Sequence, residues 1–487
     1  MRILIHGLNF APELIGVGKY TGEMAHWLAA RGHEVRAVTA PPFNPEWKVA
    51  SGYSAWRYRR ERYLYRSVGA QTRTLSAAAA MGGGAASSRS ISFAFETGCP
   101  DPRDINTDNN QSDNNQSDNN PSPPTNPACA GSLTVLRCPL WVPPHPSAIK
   151  RVLHLASFAL TGFPAMLGQV SWRPDVVIAI EPTLLCAPAA LIAAKLGRAK
   201  AWLHVQDFEA DAGFQLGLLQ SPALRSAVGW FEKKSMSACD RVSTISEKML
   251  AQLESKRVRP SARFLFPNWV DTKKIFPSKR PSPLRAELGI AAGEIVALYS
   301  GTMARKQGLE GLAQVAGLLA ERPGLRFVFC GDGPGRPMLA ELTAHLGHVQ
   351  WIPLQPFERL NDLLNLADIH LLPQKAGAAD LVMPSKLTGM FASGRPVVAT
   401  SAQDTQLAQT VQGRGIKGGG IEGRGIVVEP DDPAAFAEAI TALADSPSLR
   451  ESLGRNAREY AVSELGKEII LAKFERELSL LAASSPS

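Results

Sequence analysis

The residues best suited to chemistry lie late in the chain, in Pro373–Thr400, which reads PQKAGAADLVMPSKLTGMFASGRPVVAT. Lys386 brings a full positive charge, and Ser385 stands before it as a helix N-cap. The free N–H groups of a first helical turn favour an anion, so the pair describes a phosphate-binding turn. An ordinary capped crossover helix fits the same residues. The positioning elements are legible on either side. Ile369–Leu372 is a short apolar strand, Leu387–Ser393 a helix stopped by Gly394, and Pro396–Thr400 the next strand.

Two upstream loops have the same character. The strand Ile295–Ser300 runs into Gly301-Thr-Met-Ala-Arg305-Lys306-Gln307-Gly308, and Arg326–Cys330 runs into Gly331-Asp-Gly333-Pro-Gly335. Strands that end in glycine or charge make phosphate-binding edges. Each loop alone is a weak signal. Two of them with the Ser385-Lys386 turn in one sheet favour a nucleotide site.

The N-terminal half repeats the pattern. Arg2–Ile5 is a buried strand, a loop carrying Gly16 and Gly18 follows, a helix runs from Lys19 to Arg31, and Glu34–Ala40 is a strand. This β–loop–α–β unit opens a doubly wound sheet. The glycines come too late after the strand for a dinucleotide fingerprint, which excludes NAD on this pattern. Asp175–Glu181 and Ala199–His204 read as further parallel strands. The second ends in His204, Asp207, Glu209 and Asp211, where sites of such sheets lie. A loop of solvated acids is the competing reading.

A chain of 487 residues is too long for one core and implies two domains. Its net charge of +8 suits a nucleotide phosphate or an anionic membrane face and does not call for nucleic acid. The six cysteines show no C-x-x-C and no zinc spacing, and read as reduced thiols of a cytosolic protein. No secretory leader is expected from the opening residues. Val152–Trp172 is long and weakly polar, but His154, Ser157, Thr161, Gly162 and Pro164 argue against a spanning helix. Trp56–Arg66 mixes arginine with aromatics, as a headgroup-binding patch or a solvated strand edge does. From about Arg62 to Ser132 the chain turns to Ala/Gly/Ser and then to repeated Asp-Asn-Asn-Gln-Ser, which reads as a disordered insertion.

Several stretches together resemble the retaining family 4 of GT-B glycosyltransferases, in particular its colanic acid and exopolysaccharide members. They are Pro12–Met24, Tyr53–Tyr58, Arg137–Leu140, His204–Asp207, Val242–Ser246, Phe266–Trp269, Lys306–Glu310 and Gly377–Thr388. The resemblance covers nearly the whole chain outside the insertion. It implies an α/β, GT-B architecture: two Rossmann-like doubly wound domains facing a cleft. Residues 1–270 would be the acceptor domain, with the insertion at about 62–132. Residues 284–447 would be the nucleotide-sugar domain, and a helix over 448–487 would cross back to the first domain.

The resemblance also implies roles. His204 would hydrogen-bond the transferred sugar, and Arg305 and Lys306 would act on the donor diphosphate; these three are the expected catalytic residues. Gly16, Gly18, Gly301, Gln307, Gly331, Gly333, Asp380, Ser385 and Lys386 would complete the donor site, and Lys19, Asp207 and Glu209 the acceptor side. The family's paired glutamates are absent: their positions hold Leu381 and Gly389, with Asp380 adjacent to the first. The implied reaction needs no metal or cofactor. It moves a sugar, GDP-fucose being the suggested donor, to a lipid-linked saccharide on the cytoplasmic face of an anionic membrane. A sugar-nucleotide 2-epimerase and a non-catalytic sugar-nucleotide binding protein share the architecture and stay open at this point.

Overall fold

A computed structural model describes residues 1–13, 16–68, 71–76, 129–144, 147–182, 184–208, 221–303, 307–375, 383–413 and 423–484. The N-terminal half holds β1 (Arg2–Gly7), α1 (Gly16–Ala30), β2 (Glu34–Thr39), β3 (Arg59–Val68), β4 (Gln71–Ser76) and β5 (Cys129–Arg137). It continues through α2 (Ala148–Leu167), β6 (Val176–Glu181), α3 (Ala187–Gly197), β7 (Lys200–Val205), α4 (Pro222–Ser237), β8 (Arg241–Thr244), α5 (Glu247–Gln252) and β9 (Arg263–Leu265). These strands form one sheet in the order β4-β3-β5-β2-β1-β6-β7-β8-β9, with β3 antiparallel to both of its neighbours.

The C-terminal half opens with α6 (Pro283–Glu287), β10 (Ile295–Ser300), α7 (Leu309–Leu318), β11 (Leu325–Cys330), α8 (Arg336–Thr343), β12 (Val349–Ile352) and α9 (Leu360–Leu366). Then come β13 (Ile369–Leu372), α10 (Lys386–Ala392), β14 (Val397–Thr400), α11 (Gln406–Gln412), β15 (Gly425–Val428), α12 (Pro433–Asp445), α13 (Pro447–Ser463) and α14 (Lys467–Ala483). Its sheet is parallel in the order β12-β11-β10-β13-β14-β15. This is the doubly wound order, with its switch point between β10 and β13. Ligands of such sheets bind outside the carboxyl ends of the strands at that point. The N-terminal sheet reverses between β1 and β6.

Sequence explains the framework. Strands buried on both faces need continuous apolar runs: Val176–Glu181 is buried at every position. Helix starts carry side-chain caps: Ser246 Oγ accepts from Met249 N at 3.3 Å, and Thr405 Oγ1 from Ala408 N at 3.1 Å. Each face of the N-terminal sheet has its own core. One is built from α2, α3, α4 and α5 through Phe158, Met166, Ala193, Met236 and Met249. The other joins α1 to α14 through Met24, Leu28, Phe474 and Leu478.

Two expectations are corrected. The insertion does not begin at 62: β3 runs through Val68, β4 adds a hairpin to the sheet, and β5 resumes at Cys129. The repeated polar run itself lies outside the described residues. The terminal stretch is not one helix but two. α13 packs in the C-terminal half with Ala457 and Ala461, and α14 enters the N-terminal core after the break at 464–466. At that break Val270 N donates to Leu465 O at 2.9 Å and Lys467 N to Val270 O at 3.0 Å, so the two chain crossings pair with each other.

Candidate active site

Lys386 is the first residue of α10, and its side chain reaches back to the end of β10. Gly301 has φ +129°, a conformation that favours glycine, and a Cβ there would stand in ordinary contact with Lys386, 3.5 Å from Cδ and 3.8 Å from Nζ. The Tyr299 ring lies 4.3 Å from Nζ, a cation–π contact. Nζ is buried and, among the described residues, has no hydrogen-bond partner. Burial pulls its pKa down to about 7. A buried ammonium without an acceptor is costly, and an incoming anion would remove that cost. The Tyr299 hydroxyl reaches the Thr302 carbonyl at 2.8 Å and the Gln307 amide oxygen, fixing the loop around this point.

The loops after β10 and β11 are tied to one another. Gly301 N donates to Cys330 O at 3.0 Å, Met303 N to Asp332 O at 2.8 Å, and Gly335 N to Met303 O at 2.8 Å. Gly331 has φ +156° and a Cβ there would fall 2.0 Å from Gly301 O. At Gly333 a Cβ would meet Met303 O at 2.7 Å. These glycines are required by loop-to-loop packing, a nearer cause than phosphate contact. Gly301, Gln307, Gly331, Ser385 and Lys386 thus gather at the β10/β13 switch point. Ser385 occupies the N-cap position but makes no capping bond. Its side chain lies near the Tyr20 hydroxyl.

Tyr20 is the link to the other half. It lies on α1, buried against Trp269 at 5.0 Å between ring centroids, and its hydroxyl lies near the side chains of Thr388 and Ser385. The loop before α1 is braced from within. Glu13 accepts from Phe43 N and Asn44 N, both at 3.1 Å, and from Asn9 Nδ2 at 2.9 Å. Arg137 donates to the carbonyls of Ala40, at 3.2 Å, and Ala11. A Cβ on Gly18 would strike Glu13 Oε2 at 2.5 Å, so Gly18 serves this brace. Gly16, at φ +60° with open space beside it, starts α1.

His204 stands differently from its expectation. It lies inside β7, 3% exposed, with Nδ1 2.9 Å from Ser243 Oγ and Nε2 3.0 Å from the Gln206 amide. Phe266 packs on its ring at 4.9 Å. Burial holds the imidazole neutral, at about 3. Both nitrogens are engaged within the protein, an arrangement that a core histidine also has, so a sugar contact would need one of these bonds to give way. Lys19 also turns elsewhere. Its ammonium sits 5.0 Å from the Tyr20 ring, with Glu23 and Asp271 for charge partners. Asp207 follows β7 at a partly buried position. Arg305, Lys306, Glu209 and Asp380 lie outside the described residues. The residues missed by sequence reading are Tyr299, Tyr20 and Glu13. Tyr299 carried a signal: a lone hydroxyl-bearing ring in the otherwise apolar strand Ile295–Ser300.

Comparison with known proteins bears on the family and the fold. Residues 116–269 match the family described as "Glycosyl transferase 4-like domain", and residues 282–460 match "Glycosyl transferases group 1". The Escherichia coli (strain K12) protein WcaI, named as a colanic acid biosynthesis glycosyl transferase, is 35% identical over 98% of this chain and 100% of its own. Alpha-D-kanosaminyltransferase of Streptomyces kanamyceticus is 29% identical over 47% of this chain and 57% of its own. Sucrose-phosphate synthase from Thermosynechococcus elongatus shares the fold across 100% of both chains, with a TM-score of 0.65 at 16% identity. Anabaena HepE, solved with UDP-glucose, covers 69% of this chain and 90% of its own, with a TM-score of 0.51 at 16% identity. With two doubly wound domains and a full-length relative of this identity, the chain belongs to the family 4 glycosyltransferases of GT-B fold.

Proposed function

We propose that this glycosyltransferase takes a sugar from a nucleoside-diphosphate donor, held by the C-terminal domain, and adds it to a lipid-linked saccharide during exopolysaccharide assembly of the colanic acid type. The observation that carries the reading is the buried, unpartnered Lys386 ammonium beside Gly301. A diphosphate leaving group gains negative charge as the sugar–oxygen bond breaks, and a fixed cation in a water-poor site stabilises that charge. With retention, as family 4 membership implies, the acceptor oxygen attacks the anomeric carbon on the face the diphosphate leaves. The acceptor proton passes to the departing phosphate, so no separate base is called for. Lysine takes the place of a metal here, and activity should survive EDTA. The relative's name supports the exopolysaccharide assignment, and GDP-fucose is the donor to try first.

The test is a thermal-shift panel of nucleotide sugars followed by transfer to lipid-linked acceptors. A donor at 100 times its Kd adds about 2.7 kcal/mol to stability. Stabilisation that is lost in Lys386→Ala, together with a glycoside product that keeps the donor's anomeric configuration, supports the reading. Free nucleotide without any glycoside product would sink it.

A further inference from the structure

The helices α2, α3 and α4 cover one face of the N-terminal sheet, and their outward sides hold large apolar residues in water. Ile149 is 74% exposed and Leu160 75% on α2, Leu196 61% on α3, and Trp230 65% on α4. The segment before β3 extends the surface. Trp56 is 74% exposed, and the Tyr58 hydroxyl next to it donates to Thr161 O on α2 at 2.9 Å.

Charge on this layer has one sign. The three helices carry Lys150, Arg151, Lys195, Arg225, Lys233 and Lys234. Their one acid, Glu232, is buried in an ion pair with Lys256 at 2.5 Å. Arg57, Arg59 and Arg60 add to the same sign beside Trp56. A second protein surface would ordinarily be met by charges of both signs. Apolar side chains on helices whose exposed charges are lysine and arginine match an anionic phospholipid surface, where rings and aliphatic groups enter the headgroup boundary and cations stay with phosphates.

Ile149–Trp172 is long and apolar enough to cross a bilayer. Its inner side forbids that: Phe158 and Met166 are fully buried in the sheet core, and His154 Nδ1 lies 2.6 Å from Trp141 O. The helix cannot leave without emptying that core.

We infer that the α2–α3–α4 face is a docking surface for anionic membrane, on which the protein rests without spanning. The lipid-linked acceptor of the proposed function supplies the purpose of this docking, but the surface stands independently of the donor site. Its test is co-sedimentation of the full chain with vesicles of pure phosphatidylcholine and of phosphatidylcholine with 40 mol% phosphatidylglycerol, where the composition is a choice of about the anionic content that draws basic surfaces. Expected are partitioning at least ~10-fold higher on the anionic vesicles and a steep loss between low and high salt. Leu160→Ser with Trp230→Ser, and separately Lys150→Glu with Arg151→Glu, should each lower binding ~10-fold or more at unchanged melting temperature, these side chains being exposed. Lys386→Ala should bind vesicles as the unaltered protein does, which separates failure of the docking surface from failure of the donor site. Absence of binding to either vesicle, equal binding by the surface variants, a dimer in solution that Leu160→Ser dissociates, or release by detergent alone at alkaline pH would each overturn the inference.

Discussion

His204 and Lys386 are both buried, titratable and close to the ends of parallel strands, yet their surroundings are opposite. The histidine has a protein partner at each ring nitrogen and an aromatic ring against its face. The lysine has a ring beneath it and, among the described residues, no hydrogen-bond acceptor. Both lose much of their affinity for protons through burial. What separates them is satisfaction. A group whose hydrogen bonds are complete contributes to the fold, and one left incomplete in a dry place stores a preference for a ligand. Topology agrees: Lys386 faces the switch point between β10 and β13, whereas β7 lies one strand away from the β1/β6 reversal.

The largest expected effect tests the lysine. Lys386→Ala should lower kcat/KM by about 10- to 150-fold, the worth of a charge-assisted phosphate contact of about 1.5–3 kcal/mol. Its melting temperature should hold or rise, since a desolvated charge is removed. Steady-state kinetics and calorimetric scans read both; unchanged kcat/KM would erase the distinction drawn here.

The next effect tests the histidine. His204→Ala leaves Ser243 and Gln206 without their partner and opens space beside Phe266, which should cost about 1–3 kcal/mol of stability. Chemical denaturation measures it. A variant of normal stability with turnover abolished would return His204 to the reaction.

The two also differ in how pH acts through them. With a folded-state pKa of about 7, below that of a free lysine, Lys386 binds fewer protons in the folded chain than in the unfolded one above neutrality. Its contribution to stability therefore improves as pH rises from about 7 towards the free-lysine value of about 10.4. The stability advantage of Lys386→Met over the unaltered protein should shrink across that window, as melting scans from neutral to alkaline pH would record. Donor binding above neutrality should take up about one proton, which calorimetry in buffers of different ionisation enthalpy would detect.

The smallest effect sharpens the surroundings of the lysine. Tyr299→Phe keeps the ring under Nζ and removes the hydroxyl bonds to Thr302 and Gln307. A cost of about 1 kcal/mol is expected, seen as a small fall in melting temperature with a modest rise in donor KM. A large loss of kcat would show that the hydroxyl does more than hold the loop.

Much of this was readable in the sequence, for identifiable reasons. Apolar runs such as Ile295–Ser300 and glycines after them mark strand ends by local chemistry alone, so the paired doubly wound sheets and the Ser385-Lys386 turn were open to inspection. The satisfaction of His204 was not. Its partner Ser243 sits on β8, 39 residues away in sequence, and no local pattern predicts that contact. Gly18 and Gly333 read as ligand-approach glycines, whereas the atoms they avoid belong to Glu13 and Met303. The insertion starts later than its composition suggests: Arg62–Val68 mixes arginine and serine with tyrosine, leucine and valine, and its backbone pairs with β5 and β4.

The crossing of α14 bears on the order in which the chain can fold during synthesis. The N-terminal core takes Leu471, Phe474 and Leu478 from the far end of the sequence, and Phe266 stacks on Phe474 with ring centroids 4.1 Å apart. When β9 has left the ribosome, one face of the N-terminal sheet still lacks its last layer. At about 5–20 residues per second, some 10–40 s pass before α14 is made. During that interval Trp202, Phe264 and Phe266 have no helix over them. The C-terminal domain, complete within its own stretch of sequence, can be first to reach its final packing although it is made second.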